Sequence, residues 1–405
     1  MNSAMPLADA FVSAETLAER PAVDFSATWQ AATISVERAD AVRLATIDSE
    51  WRDLVARTDE PNVFMNPAIL QLAGDSCVTL LAWSGERRLM GVWAFAIARH
   101  PVLPVKLLRS PALPYSYLAT PVLDRTAAHA VITGMLDFVA SDSALPKTIS
   151  LDPMRPDGAA MQALAVALAD RKSVPCLLQQ GRRPVLASNL DAKQYFEKAL
   201  SSSTRKKLRQ HRRRLEEKGK LQSHIYIAAA DVSQAFEDFL TLEASGWKGR
   251  TGTALLCDPA EATLVRSMVT ALAQRGDAWV HALSQNGKAI AAQVVLRAGV
   301  TAFTWKTAYD ETLGDYSPGM LLLEDYTAAF LADKSIERVD SCSLDDNGFM
   351  SAWSERQDVA HILTDVRPNG SLSFTIAAGF YKAFLQARAA AKDIYLRGRR
   401  HWKRC

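Results

Sequence analysis

The sequence predicts an α/β (α+β) protein that consists of two tandem copies of one unit. The main observation is a repeated hairpin pattern, because Cys77 to Ile97 can be overlaid on Ala278 to Ala298. Both segments have two apolar runs of matching length and a polar turn that contains glycine. In each half a further strand, a polar segment, a helix and another strand follow, which indicates a repeat. With 405 residues and 49% hydrophobic composition, the chain is long enough for two such units.

In the first half, short apolar runs predict strands and periodic apolar residues predict helices. The predicted strands are Thr33 to Val36, Val78 to Trp83, Leu89 to Ala98, Val105 to Leu108, Thr148 to Leu151, Val174 to Leu178 and Pro184 to Leu186. The predicted helices lie around Trp51 and Leu54, at Ala127 to Val139 and at Asp157 to Leu168. A proline-rich stretch runs from Pro101 to Pro121.

The second half repeats this alternation and opens with a long basic helix, about Asp191 to Lys218. Asp258-Pro259-Ala260-Glu261 is a well-formed helix start, with a capping Asp, a Pro at the first position and a Glu three residues after the cap. The other predicted helices are Asp231 to Glu243 and the one that carries Leu321 to Leu323. The predicted strands are Ser223 to Ile227, Ala278 to Leu283, Ala289 to Leu296, a strand around Trp305, and Arg338 to Ser341.

These patterns divide the chain into five parts. We expect a flexible leader at 1–30, an N-terminal domain at 31–190 and a basic helix near the junction at 191–220. A C-terminal domain at 221–370 and a basic helix and tail at 371–405 complete the chain.

Composition argues against several classes of protein. The five cysteines are scattered, odd in number and without close pairs, and the seven histidines show no metal-ligand spacing. We therefore expect neither a disulfide framework nor a metal site. The longest uncharged apolar run, Leu89 to Ala98, is too short to cross a bilayer, and the N-terminus lacks the pattern of a signal peptide. The expected compartment is the cytoplasm.

Basic residues are concentrated in two segments, although the net charge is only +3. Arg205 to Lys220 holds nine Lys or Arg against two Glu, and Arg388 to Arg404 holds seven against one Asp. Such segments attract the phosphates of nucleic acids, membranes or cofactors. Each is equally compatible with a solvated helix face.

A second feature is the helix start at Ser317-Pro318-Gly319, which follows Tyr316 and leads into Met320 and Leu321. We predict that Ser317 caps the helix and that Pro318 occupies its first position. The free N–H groups and the positive end of the helix dipole favour anions, and Gly319 allows a ligand to approach the backbone. Many capped helices bind nothing, so this pattern alone is weak.

The polar and aromatic residues of the second half are the candidates for chemistry, since no Ser-His-Asp order, HExxH, Walker loop or GxGxxG is present. The loop from Gly246 to Thr253 contains three glycines and is typical of a binding loop, or of a surface connection. Alternation along the strand predicts that Lys306 faces away from Trp305. The candidate substrate contacts are Trp247, Lys248, Arg250, Lys306, Tyr309 and Trp353.

Two carboxylates are candidate bases. Asp310 follows one strand and Asp340 ends the next, so we expect both to lie close to the helix start at Ser317. A carboxylate there would take a proton from an attacking amine or hydroxyl. Each residue could equally be a cap or turn residue, and Asp345 and Asp346 are better explained that way.

Taken together, the basic helix Thr204 to Gly219, the segment Gly246 to Ala254, Tyr309-Asp310 and Ser317-Pro318-Gly319 resemble the GNAT superfamily of acyltransferases. More closely, they resemble its bacterial CelD-like branch, which is associated with cellulose and exopolysaccharide synthesis and is related to the Fem-type aminoacyltransferases. The resemblance covers residues 180–365 well and the first half loosely. The usual glycine-rich phosphate loop of the superfamily is absent.

This resemblance implies tandem GNAT-like units, each a mixed, mainly antiparallel sheet flanked by helices. It also implies an acyl-CoA, such as acetyl-CoA, between splayed strands of the second unit. The CoA pyrophosphate would lie at the helix start formed by Tyr316, Ser317, Pro318, Gly319, Met320 and Leu321. Transfer would be direct, to a small-molecule or saccharide acceptor, with Asp310 or Asp340 as base.

Two other hypotheses stay open. One is a Fem-like transferase that takes its acyl group from aminoacyl-tRNA, with Arg205 to Arg214 on RNA phosphates; otherwise we expect no nucleic acid partner. The other is a noncatalytic scaffold that joins a polysaccharide-synthesis complex at the membrane surface, on the inner face. Its contacts would be Phe380, Tyr381, Phe384, Leu385 and the tail from Arg397 to Arg404.

Overall fold

The computed structural model describes residues 34–343 and 349–402. The predicted leader at 1–30 and the segment Asp345-Asp346-Asn347 lie outside these described residues. Within them, thirteen strands form a single mixed, mostly antiparallel sheet with helices on both faces. The predicted fold class is therefore confirmed.

Strand order explains the architecture. The sheet runs β1-β2-β3-β4-β6-β13-β7-β12-β11-β10-β9-β8, and β5 pairs with β3 off this path. The strands are β1 Ser35–Ala39, β2 Cys77–Trp83, β3 Leu89–Arg99, β4 Lys106–Ser110, β5 Val122–Leu123, β6 Thr148–Met154, β7 Cys176–Leu186, β8 Leu221–Tyr226, β9 Ala278–Gln285, β10 Lys288–Ala298, β11 Thr301–Tyr309, β12 Arg338–Asp340 and β13 Glu355–Asp365.

The helices follow the same two-part order. They are α1 Ala41–Leu44, α2 Asp48–Ala56, α3 Pro67–Leu70, α4 Ala128–Ser141, α5 Ala159–Asp170, α6 Ala192–Ala199, α7 Ser202–Glu216, α8 Ala229–Ser245, α9 Trp247–Arg250, α10 Pro259–Ala273, α11 Pro318–Ala332 and α12 Leu372–Trp402. Short 3₁₀ helices occur at Val63–Met65, Gln71–Ser76, Leu255–Cys257, Glu311–Tyr316 and Phe349–Ala352.

The two halves of the sheet share one pairing scheme. In each, three successive antiparallel pairings lead to a parallel pair, β4 with β6 and β11 with β12. The strand that follows each unit then pairs with the other unit: β7 lies against β12, and β13 lies against β6. Strands β7 and β13 also pair with each other, so each unit completes the sheet of the other.

The core is continuous between the halves. Helices α8 and α10 contribute Phe236, Phe239 and Val269 to the same buried cluster as Trp93 and Leu136 of the first half. A second cluster lies around α11 in the C-terminal half and includes Tyr326 and Trp353. The predicted boundaries at 190 and 221 stay a prediction, although the exchanged strands and the shared core cross them.

One predicted helix differs in detail from the structure, and one predicted helix start is confirmed. The basic stretch forms two helices, α6 and α7, because Leu200 and Ser201 adopt extended backbone and the Ser201 hydroxyl caps α7 by accepting from the Thr204 N–H at 3.1 Å. The start predicted at Asp258 is present, since its carboxylate accepts from the Ala260 and Glu261 amides at 2.8 and 3.2 Å.

Helix α12 packs its first turns on the sheet. Phe374 and Ala378 are buried there, and Tyr381 and Leu385 pack against them. Of the four side chains predicted to meet a membrane, Tyr381 and Leu385 therefore face the protein body, whereas Phe380 is exposed. No helix in the described ranges 34–343 and 349–402 combines the length and apolar character needed to span a membrane.

Candidate functional site

A notch opens between β11 and β12. These parallel strands pair only from Thr301 with Arg338 to Phe303 with Asp340, and β12 ends there. Strand β11 continues to Tyr309, paired on its other side with β10. Beyond Phe303, the β12 side of β11 has no strand partner among the described residues, so its backbone groups there are not used in a strand pair.

A β-bulge lies near the closed end of this notch. Lys306 pairs with Val294 and Thr304 with Val295, so Trp305 is an extra residue in β11. A bulge interrupts the regular alternation of side chains. Consequently, Trp305 and Lys306 both reach Tyr115, and the prediction that Lys306 faces away from Trp305 is wrong.

Tyr115 comes from the N-terminal half and was not predicted as a site residue. Its carbonyl accepts from the Trp305 Nε1–H at 2.7 Å, and its hydroxyl donates to Glu261 at the start of α10. Its ring lies over Lys306, with Nζ 3.9 Å from the ring centroid. The signal available in the sequence was the pair of tyrosines, Tyr115 and Tyr117, within the proline-rich stretch.

Lys306 is the cation at the centre of this cluster. Burial lowers the pKa of Lys306 to about 8. The positive charge of Lys248 lowers this pKa further, whereas the negative charges of Glu243 and Glu261 raise it. Within the described residues its Nζ has ring contacts with Tyr115 and Trp305 but neither a hydrogen bond nor an ion pair. The amine is therefore held in place without a carboxylate partner.

The segment from Gly246 to Thr253, which follows α8, is held by two glutamates, one beyond the end of β11 and one on α8. Glu311, beyond the end of β11, accepts from the Trp247 N–H at 2.8 Å and pairs with Arg250 at 2.5 Å. Buried Glu243 pairs with Lys248 at 2.6 Å. Gly249 is required here, because an added Cβ would lie 1.8 Å from the Ala244 carbonyl oxygen.

The start of α11 lies at the open end of the notch. A Cβ at Gly319 would be 3.3 Å from the Tyr309 ring, so the first turn packs directly on the end of β11. Ser317 has φ 50° and no side-chain cap bond, and its carbonyl accepts from the Met320 and Leu321 amides. The prediction that the Ser317 side chain caps this helix is wrong, because the left-handed backbone turns the residue out of capping geometry.

Basic groups surround this helix start. Lys218 Nζ lies 4.4 Å from the ring centroid of Tyr316, and His211 of α7 packs edge-on against the same ring. Arg212 anchors α7 to α11 through Asp325 at 2.6 Å. Tyr316 and the basic helix are thus brought together at the helix start.

The two candidate bases do not lie together. Asp340 is level with Phe303, whereas Asp310 is seven residues further along β11, about 20 Å at the usual rise per residue. The carboxylate of Asp310 accepts from the Thr312 N–H at 2.9 Å. The expectation that neighbouring strand ends bring both carboxylates to Ser317 is wrong, because β12 ends at the closed end of the notch.

Asp340 belongs to a buried ion pair between β12 and the exchanged strand β7. Arg183 of β7 is fully buried and places Nη1 3.1 Å from the Asp340 carboxylate, which also accepts from the Cys342 N–H at 2.8 Å. The same guanidinium donates to the Tyr117 carbonyl at 3.0 Å. This geometry assigns Asp340 a structural contact at the junction of the two units.

Trp353 is also in the core. Its side chain is fully buried, its Nε1–H donates to the Thr327 hydroxyl at 2.9 Å, and its ring packs against Tyr326. The structure therefore does not place Trp353 on a ligand-accessible surface. Trp247, by contrast, is 56% exposed.

The notch and the start of α11 lie in a stretch that matches a known family, and this match supports a transferase with a GNAT-type domain. Residues 202–347 match the family described as the acetyltransferase (GNAT) domain. No curated protein matches the chain significantly.

Solved structures with the same fold include FemX, with a TM-score of 0.55, 10% identity, and coverage of 80% of this chain and 96% of that one. Another is a conserved protein of unknown function from Bacteroides thetaiotaomicron, with a TM-score of 0.52, 12% identity, and coverage of 82% of this chain and 99% of that one. A third is the C-terminal domain (DUF2156) of a putative lysylphosphatidylglycerol synthetase from Agrobacterium fabrum. Its TM-score is 0.51 at 12% identity, and the match covers 82% of this chain and 95% of that one. At these identities the likeness concerns the fold alone.

Proposed function

We propose that the protein transfers an acyl group directly from an acyl-CoA to an amine or hydroxyl acceptor. The observation that carries this proposal is the notch between β11 and β12, with the start of α11 at its open end. The acyl-pantetheine arm would lie along the unpaired edge of β11, and the pyrophosphate at Tyr316 to Leu321. A peptide N–H of that edge would stabilise the oxyanion as the thioester is attacked.

The acceptor would bind in the cleft between the two halves, where Tyr115 meets the C-terminal unit. Tyr115 contacts Lys306 and Glu261 there, and the segment Trp247 to Arg250 would complete the walls of the cleft. Polar and aromatic groups of this kind suit a small molecule or a saccharide. A role in polysaccharide or cell-envelope metabolism, as in the CelD-like branch, is part of this proposal.

A carboxylate at position 317 tests the phosphate site. We expect Ser317→Asp to weaken CoA binding at least about tenfold, because its charge would repel the pyrophosphate at the helix start. Ser317→Asn is the matched control: it is neutral, has the same shape and tolerates the left-handed backbone. Isothermal titration with CoA measures both variants. If the two variants bound CoA with equal affinity, the pyrophosphate would not lie at this helix start.

Aminoacyl-tRNA is the second candidate donor, and α7 favours it. Lys206, Lys207 and Arg209 are exposed on this helix, which reaches the start of α11 through His211. A row of cations leading to the proposed phosphate site suits a polyanion better than it suits one pyrophosphate.

Charge reversal on α7 separates the two donors. If tRNA is the donor, Lys206→Glu combined with Lys207→Glu and Arg209→Glu should lower the slope of log affinity against log salt by about three. Lys106→Glu with Lys334→Glu, on exposed residues outside α7, is the control. Filter binding between low and physiological salt gives the slope. If wild-type protein does not bind tRNA, or binds it with an affinity independent of salt, tRNA is excluded as the donor. Release of free thiol from a panel of acyl-CoAs would establish acyl-CoA as the donor.

A further inference from the structure

Five carboxylates near the notch are engaged by other groups. Asp310 accepts from the Thr312 N–H, Asp340 pairs with Arg183, and Glu311 pairs with Arg250. Glu243 pairs with Lys248 and accepts from the Leu255 N–H, and Glu261 accepts from the Tyr115 hydroxyl. None of them is a free proton acceptor at the bulge of β11.

Lys306 differs from these groups. It lies next to the bulge, three residues past the last β11–β12 pair, and its amine contacts only the rings of Tyr115 and Trp305 within the described part of the chain. The Trp305 and Tyr115 anchors hold the surrounding walls in place. The Nζ atom therefore stands at the junction of the notch and the proposed acceptor cleft.

We infer that Lys306, in its neutral form, accepts the proton of the acceptor during acyl transfer. This inference rests on the proposed function and assigns its base. The acceptor nitrogen or oxygen forms a bond to the thioester carbonyl carbon, and its proton passes to Nζ. The C–S bond breaks with its electron pair on sulfur, and the proton on Nζ is then returned to the thiolate or to water.

The electrostatic surroundings are consistent with this role. Burial lowers the pKa of Lys306 to about 8, so a substantial neutral fraction exists at mildly alkaline pH. The charged or titratable groups that face it are Glu243 of α8, Lys248 of α9, Glu261 of α10 and Tyr115. The neutral fraction rises with pH, and kcat/KM should rise with it through about pH 8.

The test compares pH profiles of wild-type enzyme and Lys306→Arg. Arginine keeps the positive charge but does not deprotonate, so we expect kcat/KM to fall about 10²- to 10⁴-fold and the rising limb near pH 8 to disappear. Lys288→Arg, at an exposed lysine, is the matched control and should keep the wild-type profile. If the activity of Lys306→Arg stayed within threefold of wild type, or its rising limb were unchanged, Lys306 would only supply charge and the inference would be overturned.

A second measurement does not depend on turnover. In protein labelled with [¹³C]lysine, the Lys306 signal is identified by its loss in Lys306→Arg and is titrated by NMR. A midpoint near pH 8 supports the inference, and a midpoint above about 10, as in an exposed lysine, overturns it. Wild-type protein that transfers no acyl group from any donor would instead contradict the proposed function, while this titration still reports the state of Lys306.

Discussion

Asp340→Asn is expected to lower the free energy of unfolding by about 3–5 kcal/mol. The change removes the charge that balances the fully buried Arg183 guanidinium, and an uncompensated buried charge costs about this much. Little else would compensate, because the remaining described partner of Arg183 is the neutral Tyr117 carbonyl. Urea unfolding followed by tryptophan fluorescence and far-UV circular dichroism measures the loss, and coincident curves would show a single transition.

The control is the double variant Arg183→Met with Asp340→Asn, in which no charge remains buried. We expect it to recover most of the stability, since replacing a whole buried pair is often close to neutral. The same variants decide the role of Asp340. If Asp340→Asn kept full stability but lost about 10²-fold or more in turnover, it would be the catalytic base and the structural assignment would be wrong.

Trp353→Ala is expected to lower the free energy of unfolding by about 3–5 kcal/mol. The indole is fully buried beside Tyr326 on α11, so its loss leaves a cavity that the sheet and helix cannot close. It also leaves the Thr327 hydroxyl without its donor. Thermal and urea unfolding measure the effect.

Trp247→Ala is the matched control for this prediction. Trp247 is exposed, so its removal should change stability by less than about 0.5 kcal/mol. Under the proposed function, Trp247→Ala would instead raise KM for the acceptor. If Trp353→Ala were as stable as wild type but bound substrate more weakly, Trp353 would be a ligand contact and the structural assignment would be wrong.

Much of the fold could be predicted because its signals are local. The hairpins β2–β3 and β9–β10 follow from short apolar runs around polar turns, and the start of α10 follows from Asp258-Pro259. The interruption at Ser201 is also a local cap. It was missed because the basic and apolar pattern continues across it, so periodicity alone suggested one helix.

The candidate site was predictable only in part. Lys306 lies on β11, the helix start at Ser317 packs on the end of that strand, and Trp247 reaches it through Glu311. That these residues form a ligand site stays a prediction. Tyr115 was missed, because it is 190 residues from Trp305 along the chain and only tertiary packing brings it to this strand. The bulge at Trp305 was missed for a different reason, since it depends on the register of β11 against β10, which the pattern of residue types does not show.

The sequence by itself determined two repeated units, their strand and helix types, and the residue types from which a site is built. These depend on side-chain periodicity, turns and caps, which act over a few residues. The tertiary structure decided which of those residues meet. The exchange of β7 and β13 buries Asp340 against Arg183, and the bulge turns Lys306 toward Tyr115. The first outcome depends on strands far apart in the chain, and the second on the register of β10 and β11. No local pattern of residue types reports the free energy of either arrangement.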